Sequence, residues 1–337
     1  MKEMTLNQLL TKKEEKTERW LIKDLIEQGD IAIMYGLHGH HKTGIALKIA
    51  MEVITGGKEL GKSQNGKVLL YNLDSTITEL KPRIVALMEN RYKAYAEVIG
   101  SNLIIKSENY EDCDDFNLIN KNYFYQVESD EDDIDLSWRE AGFFDEDEGI
   151  KLIIIDTLSK AIVGSGINDD QAIRTAIHNL RDWIAGSQYR ISILLIHHSS
   201  PKNPRKGMMG TSILENDLST VLKIKKNKKG FELVREKHRS SHKGKSIPFK
   251  GREVLVDIDD QVCETIFVDI GSNLDQFNAE IVSQFTSGKS KSDIKRNTRV
   301  LGFGNNTTDK SFSVTFNRRW KKLIEQGFIY EEKQDNN

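Results

Sequence analysis

Tyr35-Gly36-Leu37-His38-Gly39-His40-His41-Lys42-Thr43 is the stretch that decides the fold of this chain. Ile31 to Tyr35, just before the turn, is an apolar run that reads as a buried strand. The residues after it, through Ala46, Leu47, Ile49 and Ala50, read as a helix over Lys42–Ile54. A strand, a turn containing Gly36 and Gly39, and a helix opening on Lys-Thr together make a phosphate cradle. Backbone N–H groups and the helix N-terminus face an anion, Lys42 serves the β- and γ-phosphates of ATP, and the Thr43 hydroxyl serves Mg²⁺. One position departs from the pattern, since His41 stands where glycine is expected before the lysine. Glycine lets the backbone approach phosphate closely, so an imidazole there either crowds the approach or donates to a phosphate oxygen itself.

Outward from this turn, apolar runs alternate with helical patterns. Strands are expected at Ile31–Tyr35, Lys67–Leu73, Leu103–Ile105, Leu152–Asp156 and Ile191–Ile196, and further helices at Ile77–Glu89 and Asp169–Gly186. Continuous apolar strands separated by helices predict an α/β fold with a mostly parallel sheet covered on both faces. From Leu218 the runs shorten. Leu218–Lys225, Phe231–Arg235, Ser246–Phe249, Val254–Asp257 and Thr265–Asp269 read as an antiparallel extension of that sheet. Residues 1–30 form a lead-in whose Trp20, Leu21, Ile22, Leu25 and Ile26 are suited to cover an open sheet edge. The core is expected over 31–270, interrupted by an acidic insertion at about 107–149. After it, 274–332 carries helical patterns at Phe277–Phe285, Lys291–Leu301 and Ser313–Gln326, then Phe328-Ile329-Tyr330, the order of a winged-helix-like domain.

Several strand tips carry chemistry. Asp156 ends the apolar run Leu152 to Ile155, and beside a phosphate loop an acid there shares the Mg²⁺ shell with Thr43. Asp74 ends the strand after the phosphate-loop helix. It either orients an attacking water or caps the next helix with Ser75 and Thr76. His197 and His198 end another apolar run. Ligands of open α/β sheets bind beyond strand C-termini, so these histidines point to the same crevice, one sensing phosphate or both serving as structural side chains. The following loop offers Lys202, Arg205 and Lys206 for sequence-independent contact with a nucleic-acid backbone, or simply as a solvated surface.

The formal net charge of −2 over 337 residues conceals segregation: residues 108–148 are strongly acidic and 202–252 strongly basic. Such separation fits a polyanionic partner. Two cysteines, Cys113 and Cys263, exclude a disulfide scaffold and fit a reducing cytoplasm. No apolar run has the length of a membrane span. His38, His40 and His41 sit on one tight loop with no cysteine or fourth ligand nearby, a poor metal site.

Taken together, Trp20, Gly36–Thr43, Asp74, Asp156-Thr157-Leu158, Asn168-Asp169-Asp170, His197-His198 and Glu236-Lys237-His238-Arg239 resemble the RepA-like ATPases. These are plasmid- and phage-borne relatives of hexameric replicative helicases in the RecA/DnaB superfamily, and the resemblance spans roughly Leu6 to Asp269. It implies a RecA-like core in a homo-oligomeric ring, a hexamer in the helicase relatives, with ATP and Mg²⁺ between subunits and single-stranded DNA on the core. By the resemblance, Lys42 and Thr43 match the Walker A pair and Asp156 the Walker B acid. Asp74 stands where the family has a catalytic glutamate and His198 where it has a sensor. Lys237 and Arg239 match the Lys-x-Arg pair inserted into a neighbour's ATP site. Asp74 is one methylene shorter than glutamate, a second departure beside His41.

In the C-terminal segment Arg296, Arg299, Arg318 and Arg319 are candidates for contacts with duplex DNA. The expectation is a ring-forming DNA helicase or translocase of plasmid, phage or mobile-element replication. Two alternatives stand beside it: a nucleotide-binding regulator without productive hydrolysis, and a DNA-binding regulator of replication or transcription that uses the core as a scaffold.

Overall fold

The computed structural model describes residues 5, 19–107, 116–119, 149–187, 190–200, 207–210, 212–228, 230–238, 246–270, 281, 284–285, 289–300 and 308–325. Strand β1 (Trp20–Ile22) and β2 (Ile26–Glu27) form a small hairpin, followed by β3 (Ile31–Gly36) and helix α1 (Lys42–Thr55). Next come β4 (Lys67–Asn72), α2 (Ile77–Leu87), α3 (Ala96–Asn102) and β5 (Leu103–Ser107), then β6 (Ile150–Asp156), α4 (Asp170–Gly186) and β7 (Ser192–His198). After these are α5 (Ile213–Asp217), β8 (Thr220–Asn227), β9 (Gly230–His238), β10 (Ile247–Ile258), β11 (Gln261–Ile270), α6 (Lys291–Val300) and α7 (Asp309–Glu325).

Among the described residues nine strands share one sheet in the order β11-β10-β9-β8-β3-β7-β6-β4-β5. From β8 to β5 every neighbouring pair is parallel, and from β8 outward to β11 every pair is antiparallel. The expected α/β fold with a mostly parallel sheet and an antiparallel extension is what the chain adopts. One assignment shifts: β8, expected as the first antiparallel strand, runs parallel to β3 and belongs to both parts.

The central strands are buried along their length because helices cover both faces. Ala32 and Met34 of β3 pack with α1 and the β1–β2 hairpin, whereas Ile31, Ile33 and Tyr35 pack with α4. Local signals fix the helix ends. Thr76 and Glu79 form a reciprocal capping box at the start of α2, and Asp169 accepts from Gln171 and Ala172 at the start of α4. Gly56, at φ 64°, ends α1 in the left-handed conformation that glycine adopts without steric cost.

Other expectations are corrected. The lead-in does not cover a sheet edge, since the edges are β11 and β5. Its hairpin lies across the amino-terminal ends of the strands, with Ser192 Oγ of β7 donating to the Glu27 carbonyl and Trp20 against His238 of β9. Ser246–Phe249 and Val254–Asp257, expected as two strands, are one continuous β10, paired with β11 from Phe249 onward. Helix Ile77–Glu89 ends at Leu87 and passes into a π-turn over Met88–Tyr92. Helices α3 and α5 have no counterpart among the expected elements. Most of the acidic insertion lies outside the described residues, where only Phe116 to Ile119 and Gly149 onward are placed, with Phe116 stacked on Tyr71.

In the C-terminal segment, α6 falls inside the second expected helix, and α7 overlaps the third and begins four residues before it. Ile281, Ile294, Phe312, Phe316, Trp320 and Leu323 form a core of their own. Most of the expected first helix, and Phe328-Ile329-Tyr330, lie outside the described residues. Among the described residues no helix is long and apolar enough to cross a membrane.

Candidate nucleotide site

Sheet register brings the chemistry to one end. Asn72 of β4 pairs with Asp156 of β6, Asp156 with Ile196 of β7, and His198 of β7 with Gly36 of β3. Residues Gly36, Asp74, Asp156 and His198 therefore all emerge from the carboxyl ends of parallel strands, where ligands of open α/β sheets bind. Strand β7 lies between the phosphate-loop strand β3 and the acid strand β6, so its histidine tip stands between the lysine's loop and the acid.

Thr43 Oγ1 donates to Asp156 Oδ2 at 2.6 Å. Asp156 is fully buried, and burial pushes its carboxyl up to about 6; the Thr43 hydrogen bond works against that rise and the charge of Asp74 adds to it. The Lys42 ammonium is also buried, donating to the carbonyls of Gly36 at 3.3 Å and Leu37 at 3.0 Å, and burial holds its pKa below the usual lysine range. The first turn of α1 has no side-chain cap, since His41 provides none, so its leading N–H groups are open to an outside acceptor.

This donor set fits a Mg²⁺-bound triphosphate. A desolvated carboxylate beside a threonine hydroxyl suits a cation that keeps several waters and takes few protein oxygens, and an uncapped helix start beside a buried lysine suits phosphate. A site built from three or more His, Cys, Asp or Glu side chains does not occur among the described residues.

His41 adopts φ 58° and ψ 34°, the left-handed conformation a glycine would supply, at a cost of roughly 1–2 kcal/mol for a residue with a Cβ. Its ring packs edge-on against Phe231 of β9, with centroids 4.8 Å apart, and His40 does the same at 5.3 Å. Aromatic contacts of this kind contribute about 0.5–1.5 kcal/mol each, enough to offset much of that strain.

The two strand-tip histidines divide. His197 is buried, its Nε2 2.8 Å from the Met209 carbonyl, and burial lowers its pKa to about 4, so it is a structural side chain. His198 is partly open, with Nε2 4.0 Å from Asp74 Oδ2; burial and the neighbouring Lys42 lower its pKa while Asp74 opposes them. Asp74 does not cap α2, because Thr76 does.

Of the remaining candidates, Lys202, Arg205, Lys206 and Arg239 lie outside the described residues. The segment holding the first three is bracketed by a bridge between Ser199 and Met208, and Ser199 N–H donates to Gly36 O at 3.0 Å. Lys237 Nζ donates to the carbonyls of Glu215 and Asn216, the latter at 3.0 Å. It pairs with Val221, beside Thr220, which pairs with Ala32. Lys237 therefore sits at the opposite end of the sheet from the phosphate loop. Arg296 bonds Asp293 at 2.8 Å, Arg299 bonds Asp309 at 3.2 Å, Arg318 is exposed and Arg319 half-buried.

Two participants escaped sequence reading. Arg83 of α2 exerts its charge on both Asp156 and His41. Its only signal is its place on the helix after Asp74. Glu236 accepts from Tyr35 Oη at 2.5 Å and lies 3.0 Å from Lys225 Nζ, tying the phosphate-loop strand to β9. Nothing in the sequence pairs Tyr35 with a residue 201 positions on.

A family model described as an AAA domain matches residues 3–203. No curated protein matches the chain. Among solved structures, a helicase ATPase domain is similar over 66% of this chain and 82% of its own, at 14% identity and a TM-score of 0.46. The RadB recombinase is similar over 66% of this chain and 87% of its own, at 18% identity and a TM-score of 0.43.

Proposed function

The chain belongs to the AAA domain family, and from that premise we propose that it is an ATP-hydrolysing, RecA-like motor that works as a ring on DNA. The observation that carries the reading is the joining of Thr43 and Asp156 at 2.6 Å beside the buried Lys42. Lys42 and the open N–H groups of α1 bind the phosphates, with Gly36 and Gly39 shaping the turn. Thr43 and Asp156 hold Mg²⁺, which neutralises charge on the phosphates when bound. Asp74 draws the proton from water, and His198, next to it, reports the state of the γ-phosphate to the chain beyond Ser199. Arg239, with Lys237, completes the site of an adjacent subunit and stabilises charge in the transition state. The position of Lys237 at the far end of the sheet supports this assignment, since a residue there is placed for a neighbour's crevice and not its own.

Single-stranded DNA runs along the loop holding Lys202, Arg205 and Lys206. The segment 274–332 acts as a winged-helix-like domain on duplex DNA through Arg296, Arg299, Arg318 and Arg319. The biological setting is replication of a plasmid, phage or other mobile element, in the cytoplasm. The deciding measurement is ATP turnover with and without single-stranded DNA, for the wild type and Lys42→Ala. DNA-stimulated turnover lost in the variant supports the motor. ATP binding without turnover would favour a hydrolysis-deficient regulator, the reading that His41 and Asp74 motivate, and absence of binding would leave the core a scaffold.

A further inference from the structure

We propose that His41 is a positioning residue whose imidazole, seated in a notch between Phe231 of β9 and Gly251 of β10, holds the phosphate loop in its left-handed turn in place of the missing glycine. This inference rests on the nucleotide-site reading above. Three independent observations converge on it. The His41 backbone takes the conformation of a glycine while bearing a side chain. The side chain is docked edge-on to Phe231, which stacks in turn on Phe249 at 5.4 Å. The floor of the notch is a glycine, and a Cβ at Gly251 would lie 2.5 Å from His41 Nε2, inside any real contact distance. The antiparallel extension is thus shaped to receive this ring.

The same device recurs close by on α1, where a Cβ at Gly44 would meet Val268 of β11 at 2.4 Å. Two glycines, one on the helix and one on the sheet, let the start of α1 lie directly on β10 and β11. Burial, with His40, Arg83 and Lys226 adding to it, lowers the pKa of His41. A neutral ring suits an aromatic wall and a glycine floor better than it suits an ion pair with phosphate. In this arrangement the turn that presents the helix N–H groups is set from the side, by side-chain anchorage, where the glycine pattern relies on backbone freedom.

The test is a cycle of ATP dissociation constants measured on the full-length chain with Mg²⁺, for wild type, His41→Ala, His41→Gly, Gly251→Ala and the double variant His41→Gly/Gly251→Ala. His41→Ala keeps the Cβ and loses the anchor, so it should weaken ATP binding by about 10-fold. His41→Gly regains backbone freedom and should fall between it and wild type. Gly251→Ala should weaken binding several-fold by displacing the ring, yet add nothing further in the His41→Gly background. That background dependence distinguishes positioning from a general loss of packing, and Phe231→Leu in both backgrounds gives the same readout should Gly251→Ala fold poorly. Tighter binding by His41→Gly than by wild type, or equal penalties of Gly251→Ala or Phe231→Leu in both backgrounds, would overturn the inference. Absence of ATP binding by the wild type would overturn the nucleotide-site reading itself, and this inference with it.

Discussion

Thr43 Oγ1 and Asp156 Oδ2 lie 2.6 Å apart although 113 positions of sequence separate them. The contact joins the first turn of α1 to the tip of β6 across the width of β7. A buried carboxyl with a neutral donor as its partner is destabilised in its charged form. Its proton affinity, raised to about 6, records that cost.

A pH dependence follows from this carboxyl. The folded state holds its proton up to about pH 6, whereas the unfolded chain releases it in the ordinary carboxyl range, so folded protein binds more protons across that window. The group's contribution to stability is therefore lost as pH rises through the window. Asp156→Asn should raise the melting temperature of nucleotide-free protein at pH 8 by roughly 2–4 °C per kcal/mol recovered, with the gain shrinking at pH 5. Thermal melts at the two pH values, without nucleotide or Mg²⁺, check this.

For the lysine, removal of the ammonium held at the loop's carbonyls should remove phosphate stabilisation in both ground and transition states. Lys42→Ala is expected to lower kcat/KM for ATP by about 10²–10³-fold or more. Steady-state turnover, with circular dichroism to establish folding, measures it.

Asp74 and His198 face each other, and Asp74 is exposed enough for water to reach it. Asp74→Asn should depress kcat by about 10²-fold or more while ATP affinity stays within a few-fold, the signature of a lost general base. If affinity and kcat fell together, the side chain would be binding nucleotide and not activating water.

Arg239 calls for a mixing experiment. Arg239→Ala alone should lose about 10³-fold in kcat. Mixed with Lys42→Ala, which keeps its arginine but lacks a working phosphate loop, it should regain a measurable fraction of activity, because intact pairs of phosphate loop and arginine reappear at shared boundaries. Failure of the mixture to exceed the sum of its parts would assign Arg239 to its own subunit or to no site.

A final expectation concerns stability away from the chemistry. Lys48, almost wholly buried on α1, lies 2.6 Å from Glu59, which also meets Arg91 at 2.7 Å, while Glu52 accepts from Tyr92 at 2.8 Å. Lys48→Ala strands buried carboxylates and should destabilise by about 3–5 kcal/mol, readable by urea unfolding. Lys48→Met with Glu59→Gln should recover part of that loss.

The parallel half of the fold was legible because its strands are buried on both faces, so Ile31 to Tyr35, Leu152 to Ile155 and Ile193 to Ile196 are continuous apolar runs bounded by polar tips. Strand β10 was not, because Lys250-Gly251-Arg252-Glu253 interrupts its apolar pattern, and only the long ladder with β11 shows one strand where two were expected. The site shows the same division. Lys42, Thr43 and Asp156 follow from strand-tip chemistry, whereas Arg83 acts through space from a helix with no motif of its own. The departure at His41 was visible as a letter, but its partner Gly251 lies far along the chain and carries no side chain that could have announced it.

Strand β9 runs antiparallel to β8, so it carries the chain back toward the end of the sheet away from the phosphate loop before reaching Lys237. A single copy thus resembles a link with a hook at one end and an eye at the other. If the hook serves a neighbour, contact between copies is head to tail, and the two joined surfaces differ. Specific activity would then depend on chain concentration, vanishing on dilution even where each copy remains folded and able to hold its nucleotide.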